Sequence, residues 1–418
     1  MAPFAMPEPH RTRLVCIAEW LAVAVAVSLP LSTSATGILI ALWVVAVIPV
    51  LDWREVRSII AKPAGGLPLL LVLLGGAGML WAGLSLSVSW AERWEGLTSF
   101  LKLLAIPLLF VQFCRSERGL CVFLGFLAAC VLLLVIGTLA EFVPGFSFIP
   151  MHPDHVPVKN AATQSGEFVA CIAVLLYLTV EFAERRRWLW LLACIVVGLG
   201  MLANMLFVAT GRTALVMLLV LVAVFALRRF RARGVIVLTA AAIAIGAAGW
   251  FASPYLRDRV EAIWTEYKVY ENTDARTSSG ERIEFWKKSI EFVRKAPLFG
   301  HGTGSIHALF IESSVGKTGA AGVASTNPHN QTFAVAIQLG VIGVFVLWAM
   351  WIAHGFMFRG LGLAEWIGLV AVVQNIIGSL FNSHLFDFGQ GWIYVFGVGV
   401  AGGMVLNKRA GKTGDAEA

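Results

Sequence analysis

Three residues in this sequence have the types that phosphate-assisted group transfer needs: Arg212 in VATGRTALV, Arg282 in SGERIEFW and His329 in NPHNQ. Guanidinium groups grip phosphate oxygens in bidentate fashion, and two of them can neutralise a diphosphate. A neutral imidazole beside such a pair can take the proton of an attacking hydroxyl. Each residue also has a plainer reading. Arg282 can be ion-paired with Glu281, Glu284 or another loop carboxylate, Arg212 can snorkel to a lipid headgroup, and His329 can simply hydrogen-bond a neighbour.

The elements that must bring these residues together are apolar. Of 418 residues, 58% are hydrophobic and only 14% charged, a composition foreign to soluble globular chains. Apolar runs long enough to cross a hydrocarbon core of roughly 30 Å recur along the chain. The reading is an all-α polytopic membrane protein of about twelve spans, near residues 14–31, 36–51, 67–84, 97–113, 120–142, 166–183, 188–209, 213–227, 235–251, 332–353, 362–381 and 391–406. The N-terminal stretch MAPFAMPEPHRTR has no small-residue cleavage pattern behind it, so the first span reads as a retained helix.

Basic residues near span ends are retained on the cytoplasmic side. Arg11 and Arg13, Arg54, Arg57 and Lys62, Arg115 and Arg118, Arg185 to Arg187, Arg228 to Arg233, Arg359, and Lys408, Arg409 and Lys412 all fall on one alternating set of connections. Both termini are expected inside. The net charge of +7 then follows from topology and gives no sign of nucleic acid. Arg212 runs against this tendency, since it lies in a short outer connection, where an ionisable residue reads as functional.

Two outer connections are long: residues 141–167, and residues from about 251 to 331. They divide the chain into spans 1–9 (residues 1–250), a mainly helical loop domain (251–331) and spans 10–12 with a short tail (332–418). In the loop domain the periodicity predicts a short amphipathic helix over 258–270. A second helix is capped by Ser278 or Ser279 and ended by Pro297, with Ile283, Trp286, Ile290 and Val293 as its buried face. Arg282 then sits in a first helical turn, where a cation is unfavourable unless an anion compensates it. The glycines of PLFGHGTGS can let backbone approach a ligand, although no GK[ST] follows as in a nucleotide loop. Asn327 reads as an N-cap and Pro328 as the first helical residue. His329 would then stand in the first turn, where the dipole opposes its protonation.

Other polar groups carry less. All six cysteines fall in spans or at their inner ends, so no outer disulfide framework is available. His152, Asp154 and His155 in MHPDH can be imagined around a metal, but their loop has poor ligand geometry and no metal site is assigned. His384 and Asp387 in FNSHLFDFGQG line an acceptor path or simply satisfy their loop. His301 and His307 are loop structure or sugar contacts, and Trp90, Trp94 and Trp264 are candidates to stack on sugars.

A GR turn between two spans (Gly211-Arg212), R-x-x-x-W (Arg282 to Trp286), P-x-x-G-x-G-x-G (Pro297 to Gly304) and NPHN (Asn327 to Asn330) ahead of an apolar helix together resemble the O-antigen ligase and polymerase family. The spacing of His329-Asn330 to Gly340 and Gly343 is similar to the ligase branch. Val344 and Phe345 stand where some ligases have threonines. The resemblance implies a glycosyltransferase in the inner membrane of a Gram-negative bacterium, its termini cytoplasmic and its site facing the periplasm. The implied donor is O-antigen polysaccharide on undecaprenyl pyrophosphate, and the implied acceptor a sugar hydroxyl of lipid A-core. His329 would be the general base of an inverting reaction and Arg212 and Arg282 would hold the pyrophosphate. Lys159, Asn330 and His384 are further substrate contacts under the same resemblance. It implies no nucleotide, nucleic acid, metal or other cofactor. The competing readings are a polymerase of the same family, a ligase that loads glycans onto protein, and, in a different class, a membrane transporter, whose mark would be discontinuous spans lining a midplane site.

Overall fold

The computed structural model of the chain describes residues 8–83, 88–143, 156–230 and 232–417. No strand occurs among the described residues. In chain order the helices are α1 (Glu8–Leu31), α2 (Thr33–Val47), α3 (Trp53–Ile60), α4 (Pro63–Trp81), α5 (Trp90–Leu101), α6 (Ala105–Phe113), α7 (Gly119–Phe142), α8 (Ala161–Glu184), α9 (Trp188–Phe207), α10 (Arg212–Arg229), α11 (Ala232–Ala252), α12 (Pro254–Thr273), α13 (Ser278–Lys295), α14 (Ser305–Ser314), α15 (Gln331–Met357), α16 (Leu363–Ser379) and α17 (Phe388–Glu417).

Ten helical stretches among the described residues are long and apolar enough to cross a membrane, with α5 and α6 forming one of them through a 3-10 turn at Lys102–Leu104. The all-α polytopic architecture is the expected one. The expected count of about twelve differs from ten at two helices that nevertheless form where the sequence places them. Helix α16 has only 17 residues, and α10 is bounded by Arg212 at one end and by Arg228 and Arg229 at the other.

Without a hydrophobic drive between helices in lipid, the bundle closes through small residues and internal hydrogen bonds. Helix α17 lies against α6 through Gly399, Gly402 and Gly403, where an added Cβ would meet Leu109, Phe110 or Phe113 within 2.6 Å. Pro68 inside α4 has no N–H to offer the carbonyl of Ala64. His354 of α15 donates to that carbonyl from Nε2 at 2.8 Å, and its Nδ1 accepts from the Tyr394 hydroxyl at 2.6 Å. One buried histidine thereby joins α4, α15 and α17.

The segment between α11 and α15 folds as α12, α13 and α14. Asp274 closes α12 in the left-handed region, and Thr277 caps α13 by accepting from the Gly280 amide at 3.0 Å. The cap therefore lies one residue before the expected serines. The buried face of α13 is also rotated from the expected one. It consists of Phe285, Phe292, Ser289 and Lys288, whereas Ile290 is exposed. The reason is local: Phe285 and Phe292 both meet Phe310 of α14 edge-on, 5.4 and 5.3 Å between centroids, over Ala334 and Ile337 of α15. Two aromatic rings bury more apolar area than the isoleucine stripe would.

Candidate active site

His329 stands just outside α15 rather than in its first turn. Asn330 is the N-cap, its Oδ1 accepting from the Phe333 amide at 3.1 Å, and the helix begins at Gln331. His329 itself adopts φ +53°, a left-handed conformation that Asn, Asp and His tolerate better than most residues. Its amide donates to Asn327 Oδ1 at 2.8 Å, its carbonyl accepts from Trp286 Nε1 at 3.4 Å, and its ring stacks on Phe285 at 5.8 Å and 13°.

The imidazole Nδ1 lies 3.0 Å from Asn382 Oδ1. That Asn382 presents oxygen here follows from its other end, where Nδ2 donates to Asp387 Oδ2 at 2.7 Å. Asn327 Nδ2 donates to the same Asn382 oxygen at 2.9 Å, and Ser383 Oγ donates to Asn327 Oδ1 at 2.7 Å. Since Nδ1 must be the donor to an amide oxygen, the neutral ring keeps its free lone pair on Nε2. Burial, and then the charge of Arg282, push the His329 pKa below its ordinary value, against the Asn382 hydrogen bond and Glu281. The ring is therefore neutral near pH 7, for these reasons and not because of a helix dipole.

Arg212 is the first residue of α10, behind Gly211, whose amide donates to Ser165 Oγ at 3.1 Å. Its guanidinium reaches Glu266 Oε1 at 3.1 Å. Glu266 Oε2 also accepts from the amide and hydroxyl of Ser279, at 3.0 and 2.6 Å, so one carboxylate ties α10 to the start of α13. Burial works against the charged form of Glu266, but the bonds from Ser279 and Arg212 together hold its pKa below the usual value.

Arg282 lies in the second turn of α13, because the helix starts at Ser278. Its guanidinium has no hydrogen bond or ion pair among the described residues, although the side chain is half-buried. The carboxylates that could have satisfied it are engaged elsewhere: Glu281 with Arg276 at 3.0 Å, Glu284 with Lys287 at 2.8 Å and with the Tyr270 hydroxyl, and Glu266 with Arg212. Burial, and then Arg212, make protonation of Arg282 less favourable, while Glu266 favours it. A guanidinium stays charged regardless. The structure thus brings together a paired arginine, an arginine lacking a counter-anion, and a neutral histidine.

The glycine segment packs its backbone against α15 and the end of α4. Gly300, Gly302 and Gly304 have φ of +67°, +91° and +89°. His301 and Gly302 donate their amides to the carbonyls of Ile337 and Gln338, at 2.7 and 2.9 Å, and Val341 donates to the Pro297 carbonyl at 2.9 Å. These bonds fall where α15 breaks, at Gly340 with φ +62° and ψ −160°. A Cβ on Gly340 would lie 2.2 Å from the Leu298 carbonyl oxygen, and one on Gly302 2.4 Å from the Ala82 backbone. The close backbone approach expected of this segment is therefore to α15 and the end of α4.

Residues 197–348 match the family model described as O-antigen ligase, about a third of the chain, and this stretch contains Arg212, Arg282, the glycine segment, His329 and Gly340. That stretch is similar to the O-antigen ligase family. A search among curated proteins finds no match. The match supports a membrane enzyme of glycosyltransferase type, of the O-antigen ligase and polymerase class.

Asn382 and Asp387, which set the His329 tautomer, lie outside the matched O-antigen ligase stretch, and reasoning from the sequence assigns Asn382 no role. The signal available was FNSHLFDFG itself, a polar island between two apolar helices. Burial drives the Asp387 pKa up to about 6, against Lys102, whose Nζ donates to the carbonyls of Phe386 and Asp387 at 2.9 Å each. Two cavities flank this island. One, of about 410 Å³, is lined by Lys159, Thr163, Asn382, His384 and Gln390; the other, of about 240 Å³, by Glu95, Ser99, His307, Asn327 and Ser383.

The three lesser candidates are placed as follows. Lys159 pairs with the buried Glu167 at 2.9 Å and donates to the Leu29 carbonyl, so its ammonium is engaged within the bundle. Asn330 caps α15 and donates from Nδ2 to the Leu380 carbonyl at 3.1 Å. His384 is buried, its pKa pushed down to about 4 by that burial, and its Nδ1 has no partner among the described residues. His301 Nε2 sits 2.9 Å from the Phe292 carbonyl, the loop role. Trp264 is exposed and stacks on Tyr267 at 5.7 Å. His152, Asp154 and His155 lie outside the described residues.

Proposed function

We propose that the chain is an O-antigen ligase, transferring polysaccharide from undecaprenyl pyrophosphate to a sugar hydroxyl of lipid A-core at the periplasmic face of a Gram-negative inner membrane. The observation that carries the reading is Arg282, a half-buried cation with no ion pair of its own among the described residues, next to Arg212 and a neutral imidazole. A partly buried charge kept unpaired calls for an anionic ligand, since burial of lone charge is costly. Diphosphate oxygens fit both guanidinium forks.

In this mechanism the acceptor hydroxyl gives its proton to Nε2 of His329 as its oxygen attacks the anomeric carbon. The bond from that carbon to the diphosphate breaks, and undecaprenyl diphosphate leaves with the bonding pair, its new charge met by Arg212 and Arg282. A single displacement inverts the anomeric centre. Positive charge fixed in advance where negative charge develops lowers the barrier more than any other single feature of such a site.

The polymerase reading uses the same residues, and the ligase reading rests on the His329 to Gly340 spacing. The transporter reading is less well supported. The break in α15 is the kind of discontinuity it needs, but the backbone groups freed there are taken by the 297–302 segment. Deleting the gene and resolving lipopolysaccharide on a gel tests the choice. Bare lipid A-core with polymer stranded on the prenol carrier is the ligase outcome; single repeats still reaching the core would replace it with the polymerase reading, and unchanged lipopolysaccharide would remove both.

A further inference from the structure

At the end of the bundle away from His329, an apolar trough of about 790 Å³ opens between the start of α4, the second half of α15 and α17. Its walls include Leu67, Phe345, Ile352, Phe356 and Leu406, of which Phe345, Ile352 and Phe356 are largely exposed. In a span, side chains of this kind face acyl chains. Two cations, Lys62 and Arg409, stand on its rim. Lys62 precedes the first residue of α4 and is exposed, and Arg409 donates from Nη2 to the Met357 carbonyl at 3.2 Å, which holds its guanidinium over the end of α15. A third cation, Arg359, lies over the Phe356 ring at 4.5 Å and donates to the Phe356 carbonyl.

From this combination we infer a binding site for an anionic phospholipid, its phosphate between Lys62 and Arg409 and an acyl chain along Phe345, Ile352 and Phe356. The occupant follows from charge and from depth. A zwitterionic lipid would bring the same phosphate but offset it with a cation that the rim repels, and a soluble anion would use the rim but not the trough. Basic pockets between spans select acidic headgroups in this way, and two rim cations are worth on the order of tenfold in affinity. The lipid would brace the same three helices that His354 ties together from inside, and His329 lies just ahead of the other end of α15.

The test uses the full chain, purified in detergent and stripped of lipid. Thermal unfolding is followed while phosphatidylglycerol or phosphatidylcholine of the same acyl chains is added, and native mass spectrometry counts the lipid retained. Phosphatidylglycerol should raise the midpoint at about tenfold lower concentration than phosphatidylcholine. The double variant Lys62→Gln, Arg409→Gln should lose that preference while keeping the phosphatidylcholine response, and Ala353→Phe, which fills the trough, should weaken both. Arg186→Gln with Arg187→Gln, a basic pair elsewhere, should change neither. Equal response to the two lipids, or a preference that survives in the rim variant or falls equally in the Arg186, Arg187 control, would overturn the site.

Discussion

If Arg282 is there for an anion, removing its charge should help the empty protein and harm the loaded one. In Arg282→Gln, the free protein loses an unpaired, half-buried cation that faces a second one at Arg212. Screening limits the gain, which should be on the order of 1 kcal/mol or less. The donor loses a charge-assisted hydrogen bond worth about 1.5–3 kcal/mol, or roughly ten- to hundredfold in affinity. These numbers give opposite shifts in one assay. With undecaprenyl pyrophosphate at a hundred times the wild-type Kd, binding stabilises the wild type by about 2.7 kcal/mol; a thirtyfold weaker variant gains only about 0.9 kcal/mol. Thermal unfolding in detergent, with and without the pyrophosphate lipid, should show the variant melting at or above wild type when empty and clearly below it when loaded. A variant that melts well below wild type without ligand would mean that Arg282 serves the fold, and the reasoning from its missing counter-anion would fail.

The remaining expectations concern the base, the pH response and the scaffold. His329→Ala should abolish transfer while leaving pyrophosphate-lipid affinity within a few-fold of wild type; full turnover by this variant removes the assigned role. Because burial and Arg282 lower the His329 pKa, kcat/KM should stay level through neutral pH and decline only below the ordinary histidine range. In Arg282→Gln the acid limb should move to higher pH, as one of the two depressing influences is gone. Asp387 titrates near 6 in the same region, so a limb that moves in Asp387→Asn but not in Arg282→Gln would assign the profile to the carboxylate. Lys159→Met should destabilise the bundle by about 3 kcal/mol, since it strands the buried Glu167, with little effect on donor affinity; the reverse pattern would return Lys159 to the substrate. Gly302→Ala or Gly340→Ala should lower the melting temperature and activity together, because each forces a Cβ into backbone at a positive φ.

Much of the architecture was legible along the chain because, in a membrane, backbone hydrogen bonds must be made within each helix, so length and apolarity decide where helices form. Arg212, Arg282 and His329 were legible by type and position: an arginine in a bare outer turn, a cation near the start of a helix, a histidine at the entrance to a span. Which of them keeps a counter-charge was not. Glu266 is 54 residues from Arg212, and only the fold, which returns α12 to the start of α10, brings it there. The face of α13 escapes periodicity, which does not separate Ile290 from Phe292, because the hole beside Phe310 accepts the ring.

Taken alone, the amino-acid sequence determined the membrane class and the helix order and singled out three residues whose types suit phosphate chemistry, since these depend on local composition and spacing. The tertiary structure decided which nitrogen of His329 is free, through Asn382 and Asp387 more than fifty residues away, and which glycine contacts are structural, through the break at Gly340. A proton's place on a ring and a carbonyl's need for a partner are set by neighbours in space. Spacing in the chain carries no record of neighbours that folding alone brings together.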